Sequence, residues 1–318
     1  MIGEREIEGY PAHTLASDEA GGIEAAFIPG AGMVGCSLRH RGDELLGQRG
    51  GLRVYVEERG TMGIPLLHPW ANRVARMRFT VADREVALDS APASPSLDPN
   101  GLPIHGLLAA APGWRVERHE STSAGGLLEA RFDFAADPGL MAAFPFAHEL
   151  VLEAALDGAT LTIATTVRAA GDATVPVSFG YHPYFRLPGI PRSEWEIEVP
   201  VGERLSLDDR MLPTGEREPV QVESGPLGPR TFDDGYVSPP DSAPFALAGA
   251  GRRIEVSFEA GYPYAQVYAP DDDDVVAYEP MTAPTNALVS DGPDLPLVEP
   301  GDSYQAEFSI RLVAVGPE

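Results

Sequence analysis

His148-Glu149-Leu150-Val151-Leu152-Glu153-Ala154-Ala155 is followed, after Asp157-Gly158, by Leu161-Thr162-Ile163-Ala164-Thr165-Thr166-Val167, and this stretch decides the fold class. Asp-Gly between two strand-length segments is a hairpin signal, so the stretch reads as two consecutive antiparallel strands. The same signature recurs on either side. Trp195-Glu196-Ile197-Glu198-Val199, Ile254-Glu255-Val256-Ser257-Phe258 and Ala306-Glu307-Phe308-Ser309-Ile310 alternate apolar with polar residues. Leu52-Arg53-Val54-Tyr55-Val56, Trp114-Arg115-Val116-Glu117-Arg118 and Glu129-Ala130-Arg131-Phe132-Asp133-Phe134 follow the same rhythm, and Ala25-Ala26-Phe27-Ile28-Pro29 is apolar up to a turn signal. Period-two alternation buries one face and wets the other, the mark of antiparallel sheets. No segment of 12 or more residues carries a 3.6-residue period; short helical turns are expected near Ala142 and Thr285. The 34 glycines and 31 prolines favour turns and short strands over long helices. The expected fold is all-β, a large antiparallel β-sandwich with few short helices, as a single domain over residues 1–318.

Composition narrows the partners. The chain has 318 residues, enough for a full hydrophobic core, and a formal net charge of -25. Such a surface repels nucleic-acid phosphates and anionic membranes alike. All 23 basic residues are arginine, which removes lysine Schiff-base chemistry and a P-loop lysine. Cys36 is the only cysteine, so no intramolecular disulfide or cysteine-cluster metal site forms. No basic start with a following apolar run and no stretch of about 20 apolar residues is present, and a cytoplasmic protein is expected. Asp271-Asp272-Asp273-Asp274 reads as a solvated loop tip, without the ligand spacing of a calcium loop. The proline-rich segments Ala91 to Pro103 and Pro226 to Pro244 read as loops.

Five short clusters bear chemistry. In Phe179-Gly180-Tyr181-His182-Pro183-Tyr184-Phe185-Arg186-Leu187, Pro183 holds His182 out of helical geometry. Tyr184 and its aromatic neighbours offer flat faces and a phenol to a sugar ring, and an imidazole moves protons near neutral pH. In His68-Pro69-Trp70-Ala71-Asn72-Arg73, Arg73 and Asn72 supply directional hydrogen bonds suited to adjacent hydroxyls. Arg73 equally fits a structural pair with a core carboxylate, and His68 fits a packed core histidine. His105 sits beside Gly106, which permits positive φ or close backbone approach; a structural histidine fits as well. In Phe232-Asp233-Asp234-Gly235, turn formation accounts for Asp234 and leaves Asp233 freer. Glu279 ends the apolar run Val275-Val276-Ala277-Tyr278 before Pro280. It is either exposed or partly buried with a raised pKa, and only the second makes a useful base.

His68-Pro69-Trp70-Ala71-Asn72-Arg73, Ile104-His105-Gly106, His182-Pro183-Tyr184-Phe185, Phe232-Asp233-Asp234 and Tyr278-Glu279-Pro280, taken in this order, resemble the aldose 1-epimerase (galactose mutarotase-like) family. The resemblance runs from about Gly63 to Thr282. It implies a β-supersandwich with a sugar-binding cleft and a metal-independent isomerase that needs no cofactor. It implies Glu279 as general base, His182 as general acid and His105 near the ring oxygen. Arg73 and Asp233 would bind sugar hydroxyls, with Asn72 in support and Tyr184 against the sugar. Asp234 stands where the best-known galactose enzymes have histidine. The implied partner is a small free aldose, and the assembly a monomer or homodimer. Related readings are a hexose-6-phosphate 1-epimerase, for which Arg76, Arg78 and Arg186 are the nearby cations, and a non-catalytic carbohydrate-binding protein. For mutarotation at neutral pH, Glu279 is expected ionised and His182 protonated, separated by about the width of a sugar ring.

Overall fold

The computed structural model describes residues 1–19, 22–90, 95–238 and 242–314. The opening stretch forms the hairpin His148–Asp157 and Thr160–Ala169, with Asp157 opposite Thr160. Its turn is Gly158-Ala159, one residue later than the Asp-Gly signal suggests, and Gly158 takes φ 56°. This hairpin lies inside a nine-stranded antiparallel sheet that runs from Arg115–Ser121 at one edge to Gly225–Pro226 at the other. The C-terminal strand Ser303–Ala314 is inserted at its centre, between Thr160–Ala169 and Arg252–Ala260.

An eight-stranded sheet faces it. Its spine is Phe232–Val237, Tyr264–Ala269 and Val276–Met281, with Gly180–Tyr181, Tyr184–Phe185 and Leu66–Leu67 continuing beyond. The two sheets meet through aromatic pairs: Tyr181 against Phe308 at 5.0 Å and Phe245 against Tyr278 at 5.3 Å between ring centroids. Two polar tips inside this interface are paired. Tyr181 Oη and Thr165 Oγ1 lie 2.6 Å apart, and Tyr278 donates to the Ala246 carbonyl at 2.6 Å. One hydrophobic cluster therefore runs through both sheets, as a sandwich requires. A five-stranded sheet from Ile2–Ile7 to Asp43–Glu44 packs its Leu15 into the same cluster. The antiparallel all-β expectation holds, and no helix among the described residues reaches 12 residues. None is long and apolar enough to cross a membrane. The expected helical turns near Ala142 and Thr285 correspond to Pro138–Ala143 and Ala287–Ser290.

Two local readings are corrected. Leu52 to Val56 belongs to the helix Gly51–Glu58, not to a strand. Five residues cannot separate the two periods: Leu52 and Tyr55, three apart, are the buried pair that a helix needs. The helix start is satisfied from afar, where Leu52 N–H donates to Glu8 Oε2 at 3.1 Å. The proline-rich segments are also less loop-like than expected. Pro226 to Pro244 contains the strand Phe232–Val237, and Ala91 to Pro103 contributes the paired strands Ser96–Leu97 and Pro103–Ile104. Their portions 91–94 and 239–241 lie outside the described residues.

Candidate active site

Alternation along three adjacent strands builds the floor of the site. In Val276–Met281, Tyr278 points into the core, so Glu279 points to the opposite face of the sheet. Gln266 is the cross-strand partner of Glu279, and Tyr268 is the partner of Asp233. Glu279, Gln266, Tyr268 and Asp233 thus share one face. Asp234 points the other way, 3.6 Å from Arg204, and lies within a strand, so the Asp-Gly turn expected there does not form. Loops bring the remaining groups over this face. Together they enclose a cavity of about 150 Å³ lined by His182, Glu279, His105, Arg73, Asn72, Asp233 and Tyr184. All seven candidate residues meet there, joined by Arg49, Thr61, Ile104 and Tyr268. A larger hollow of about 240 Å³ around Arg217, Tyr264 and Asn286 contains no histidine.

At the centre, His182 Nε2 lies 3.1 Å from Glu279 Oε1. Their residues are 5% and 1% exposed, so water contributes little to solvating a charge on either. Burial pushes the Glu279 carboxyl well above its ordinary value; the Asp233 charge adds to this and Arg73 opposes it. Burial likewise drives the His182 imidazole well below its ordinary value, helped by His105 and Arg49. The expected gap of a sugar width is not there: the two groups touch. Burial disfavours the charge expected on each group, so the surroundings favour a neutral carboxyl beside a neutral imidazole over the ionised Glu279 and protonated His182 of the sequence reading.

The surroundings fix this pair. The Tyr184 ring stacks on His182 at 4.1 Å and 15°, and its Oη lies 3.1 Å from His182 Nε2 and 2.5 Å from Thr61 Oγ1. His105 meets His182 edge-on at 5.6 Å between centroids. Burial, then Arg73 and Arg49, depress the His105 imidazole to about 3, so it is neutral at physiological pH. Its backbone takes φ 63°, and the following Gly106 takes φ 75°. A Cβ on Gly106 would lie 2.2 Å from the His68 carbonyl oxygen, so glycine is required for this close approach. His68 itself is a core residue, with Nε2 2.7 Å from His148 Nε2.

Arg73 fills both roles left open by its sequence. Its Nε donates to Asp98 Oδ2 at 2.7 Å, a structural pair with a side chain that has no exposure. Burial alone would raise the Asp98 carboxyl, but the Leu102 N–H and Arg73 overcome it and hold it below its ordinary value. The other guanidinium nitrogens reach Asn72 Oδ1 at 2.9 Å and Asp233 Oδ2 at 3.7 Å, on the cavity side. Asp233 also accepts from Gln266 Nε2 at 2.7 Å. Arg49 lies over the Tyr184 ring at 4.8 Å and pairs with Asp273 at 3.1 Å. One aspartate of the acidic run thus serves the site, while its three neighbours are exposed. Arg76, Arg78 and Arg186 are exposed and do not belong to the cavity lining. Three buried polar atoms of cavity residues find no partner within the protein: His182 Nδ1, Glu279 Oε2 and His105 Nδ1. Arg49, Thr61, Asp98, Gln266 and Tyr268 escaped the sequence reading. The Tyr-Ala-Gln-Val-Tyr-Ala alternation carried a signal for Gln266 and Tyr268; Arg49 lies in no motif.

The fold is that of the galactose mutarotase-like structures. It superposes on such a protein from Clostridium acetobutylicum with a TM-score of 0.85 at 19% identity, over 99% of each chain. A galactose 1-epimerase from Lactobacillus acidophilus gives 0.76 at 14% identity, again over 99% of each. An aldose epimerase homologue from C. elegans gives 0.74 at 18%, covering 99% of this chain and 100% of that one. No curated protein matches the sequence. A sequence model of the aldose 1-epimerase family matches residues 20–311, and the chain belongs to that family. It is a mutarotase-type carbohydrate epimerase, an isomerase whose partner is a small sugar.

Proposed function

We propose that the protein interconverts the α and β anomers of a free, neutral aldose, with Glu279 and His182 as one acid–base unit. The observation that carries this reading is the buried 3.1 Å contact between His182 Nε2 and Glu279 Oε1 in a polar, sugar-sized cavity. Glu279 removes the proton from the C1 hydroxyl while His182 delivers one to the ring oxygen. The C1–O5 bond breaks and an open-chain aldehyde forms. Rotation about C1–C2 turns the other face of the carbonyl to the C5 hydroxyl. Closure runs the same transfers backwards: His182 takes the C5 hydroxyl proton and Glu279 returns one to the carbonyl oxygen. Opening runs through the carboxylate–imidazolium form of the pair, which burial disfavours against the neutral form, and ends at carboxylic acid and neutral imidazole. These two states hold the same number of protons, so the pair returns to its start without exchanging protons with solvent. Each positioned transfer contributes roughly 10²–10⁴-fold.

Arg73, Asn72 and Asp233 present donors and acceptors to sugar hydroxyls, Tyr184 lies alongside, and neutral His105 hydrogen-bonds near the ring oxygen. The reaction needs two coupled proton transfers to break and re-form the C1–O5 bond, and these residues can supply them. Both cavity arginines are already paired with carboxylates, which favours a neutral sugar over a phosphorylated one. Polarimetry of freshly dissolved α-anomers tests the reading. Glucose or galactose should equilibrate faster with enzyme than in buffer, and glucose 6-phosphate should gain less. A panel of neutral aldoses relaxing at the buffer rate would refute it.

A further inference from the structure

A second cluster of chemically active side chains lies away from the cavity, where the N-terminal sheet meets the nine-stranded sheet. Glu4 and His13 are direct cross-strand partners in the pair Ile2–Ile7 and Tyr10–Ser17. His119 comes from Arg115–Ser121, the edge strand of the nine-stranded sheet. One ligand atom from each of the three lies within 4.8 Å of the other two. His13 Nδ1 and His119 Nδ1 are 3.2 Å apart, and Glu4 Oε1 is 3.8 Å from His13 Nδ1.

Two features of this cluster suit a metal ion better than a chance meeting of rings. The first is tautomeric. His119 Nε2 lies 3.1 Å from the Thr14 carbonyl oxygen, which can only accept, so Nε2 carries the proton. In the neutral ring Nδ1 is then an acceptor, and it faces His13 Nδ1, a contact that an ion bound between the two rings would replace. A ligating histidine is typically oriented in this way, by donating its other N–H to a carbonyl or carboxylate. The second is metric. Two nitrogens each about 2.0–2.1 Å from a tetrahedral zinc ion lie about 3.3 Å apart, close to the spacing seen here.

We propose that Glu4, His13 and His119 form a peripheral site for a divalent transition ion of the zinc class, which ties the N-terminal sheet to the edge of the main sheet. Two imidazoles and one carboxylate fill three tetrahedral positions and leave the fourth to water. Nitrogen donors set it apart from sites for magnesium or calcium, which take oxygen. Glu4 is well exposed, so its carboxylate can swing onto the ion without disturbing the core. The site would act on stability and stands apart from the acid–base pair.

The test is a calorimetric zinc titration of chelator-treated protein, wild type beside Glu4→Gln and His119→Gln, with magnesium as control. The wild type should take up one equivalent that magnesium does not compete for, and its melting temperature should rise with zinc. Both variants should bind that equivalent at least tenfold more weakly and lose the thermal shift. Glu4 is a surface residue, so its variant stays folded even where His119→Gln does not. Cobalt(II) should give the intense visible bands of a tetrahedral site in the wild type and not in Glu4→Gln. No stoichiometric zinc uptake by the wild type, or equal affinity in the wild type and either variant, overturns the proposal.

Discussion

Burial works against the charged form of Glu279, and this has a measurable cost. Its folded pKa is raised, so the folded state holds the proton more tightly than the unfolded chain. Stability from this group is full below the unfolded value and is lost as pH rises through the folded one. Glu279→Gln removes that loss. The variant should therefore melt above the wild type at pH 8, by about 0.5–2 kcal/mol, with the difference shrinking toward pH 5. A lower melting temperature for the variant at pH 8 would contradict the burial argument. The same shifts shape the rate. In the proposed reaction the pair carries one proton between the two groups, and a second proton or the loss of the first stops turnover. The pH–rate profile should be bell-shaped, its acid limb set by His182 below the ordinary imidazole value and its alkaline limb by Glu279 above the ordinary carboxylate value. A flat profile from pH 5 to 9 would count against the assignment.

At the scale of elements, the site depends on loops held over a sheet by few backbone devices. Gly106 is the most constrained, with φ 75° and no room for a Cβ beside the His68 carbonyl. Gly106→Ala should destabilise by about 1–3 kcal/mol and slow anomerisation by displacing His105. Unchanged melting and rate would show that this approach is looser than described. The same scale separates what the sequence discloses from what it hides. Strands such as Ile254 to Phe258 were legible because one face meets the core and one meets water. The helix Gly51–Glu58 was not, since its start rests on Glu8, which is 44 positions from Leu52. His182, Glu279 and Arg73 were legible because chemically unusual residues interrupt apolar runs. Arg49 and Asp98 were not, because their meaning lies in partners brought near by folding, Asp273 and Arg73. The 3.1 Å approach of His182 to Glu279 was not legible either, because it is made between segments almost a hundred positions apart in the chain.

Across the whole molecule, five histidines among the described residues sit in surroundings that disfavour their charge. Burial comes first among the causes at His13, His68, His105, His148 and His182, with His105 lowered to about 3 and His148 to about 4. Each folded pKa is below the unfolded one, so the unfolded chain binds more protons as pH falls below about 6.5. Stability should therefore drop from pH 7 toward pH 5, before ordinary surface carboxylates titrate. Thermal melts across this range check it; an unchanged melting temperature would contradict it. This limit is distinct from catalysis, whose central claim is that Glu279 and His182 work as one unit. The most direct test is a double-mutant cycle on the polarimetric anomerisation rate, using Glu279→Gln, His182→Asn and the double variant, each checked for folding by circular dichroism. Each single variant should lose roughly 10²–10⁴-fold, and the double should lose no more than the worse single. Full activity in either single variant, or losses that multiply in the double, would contradict the account.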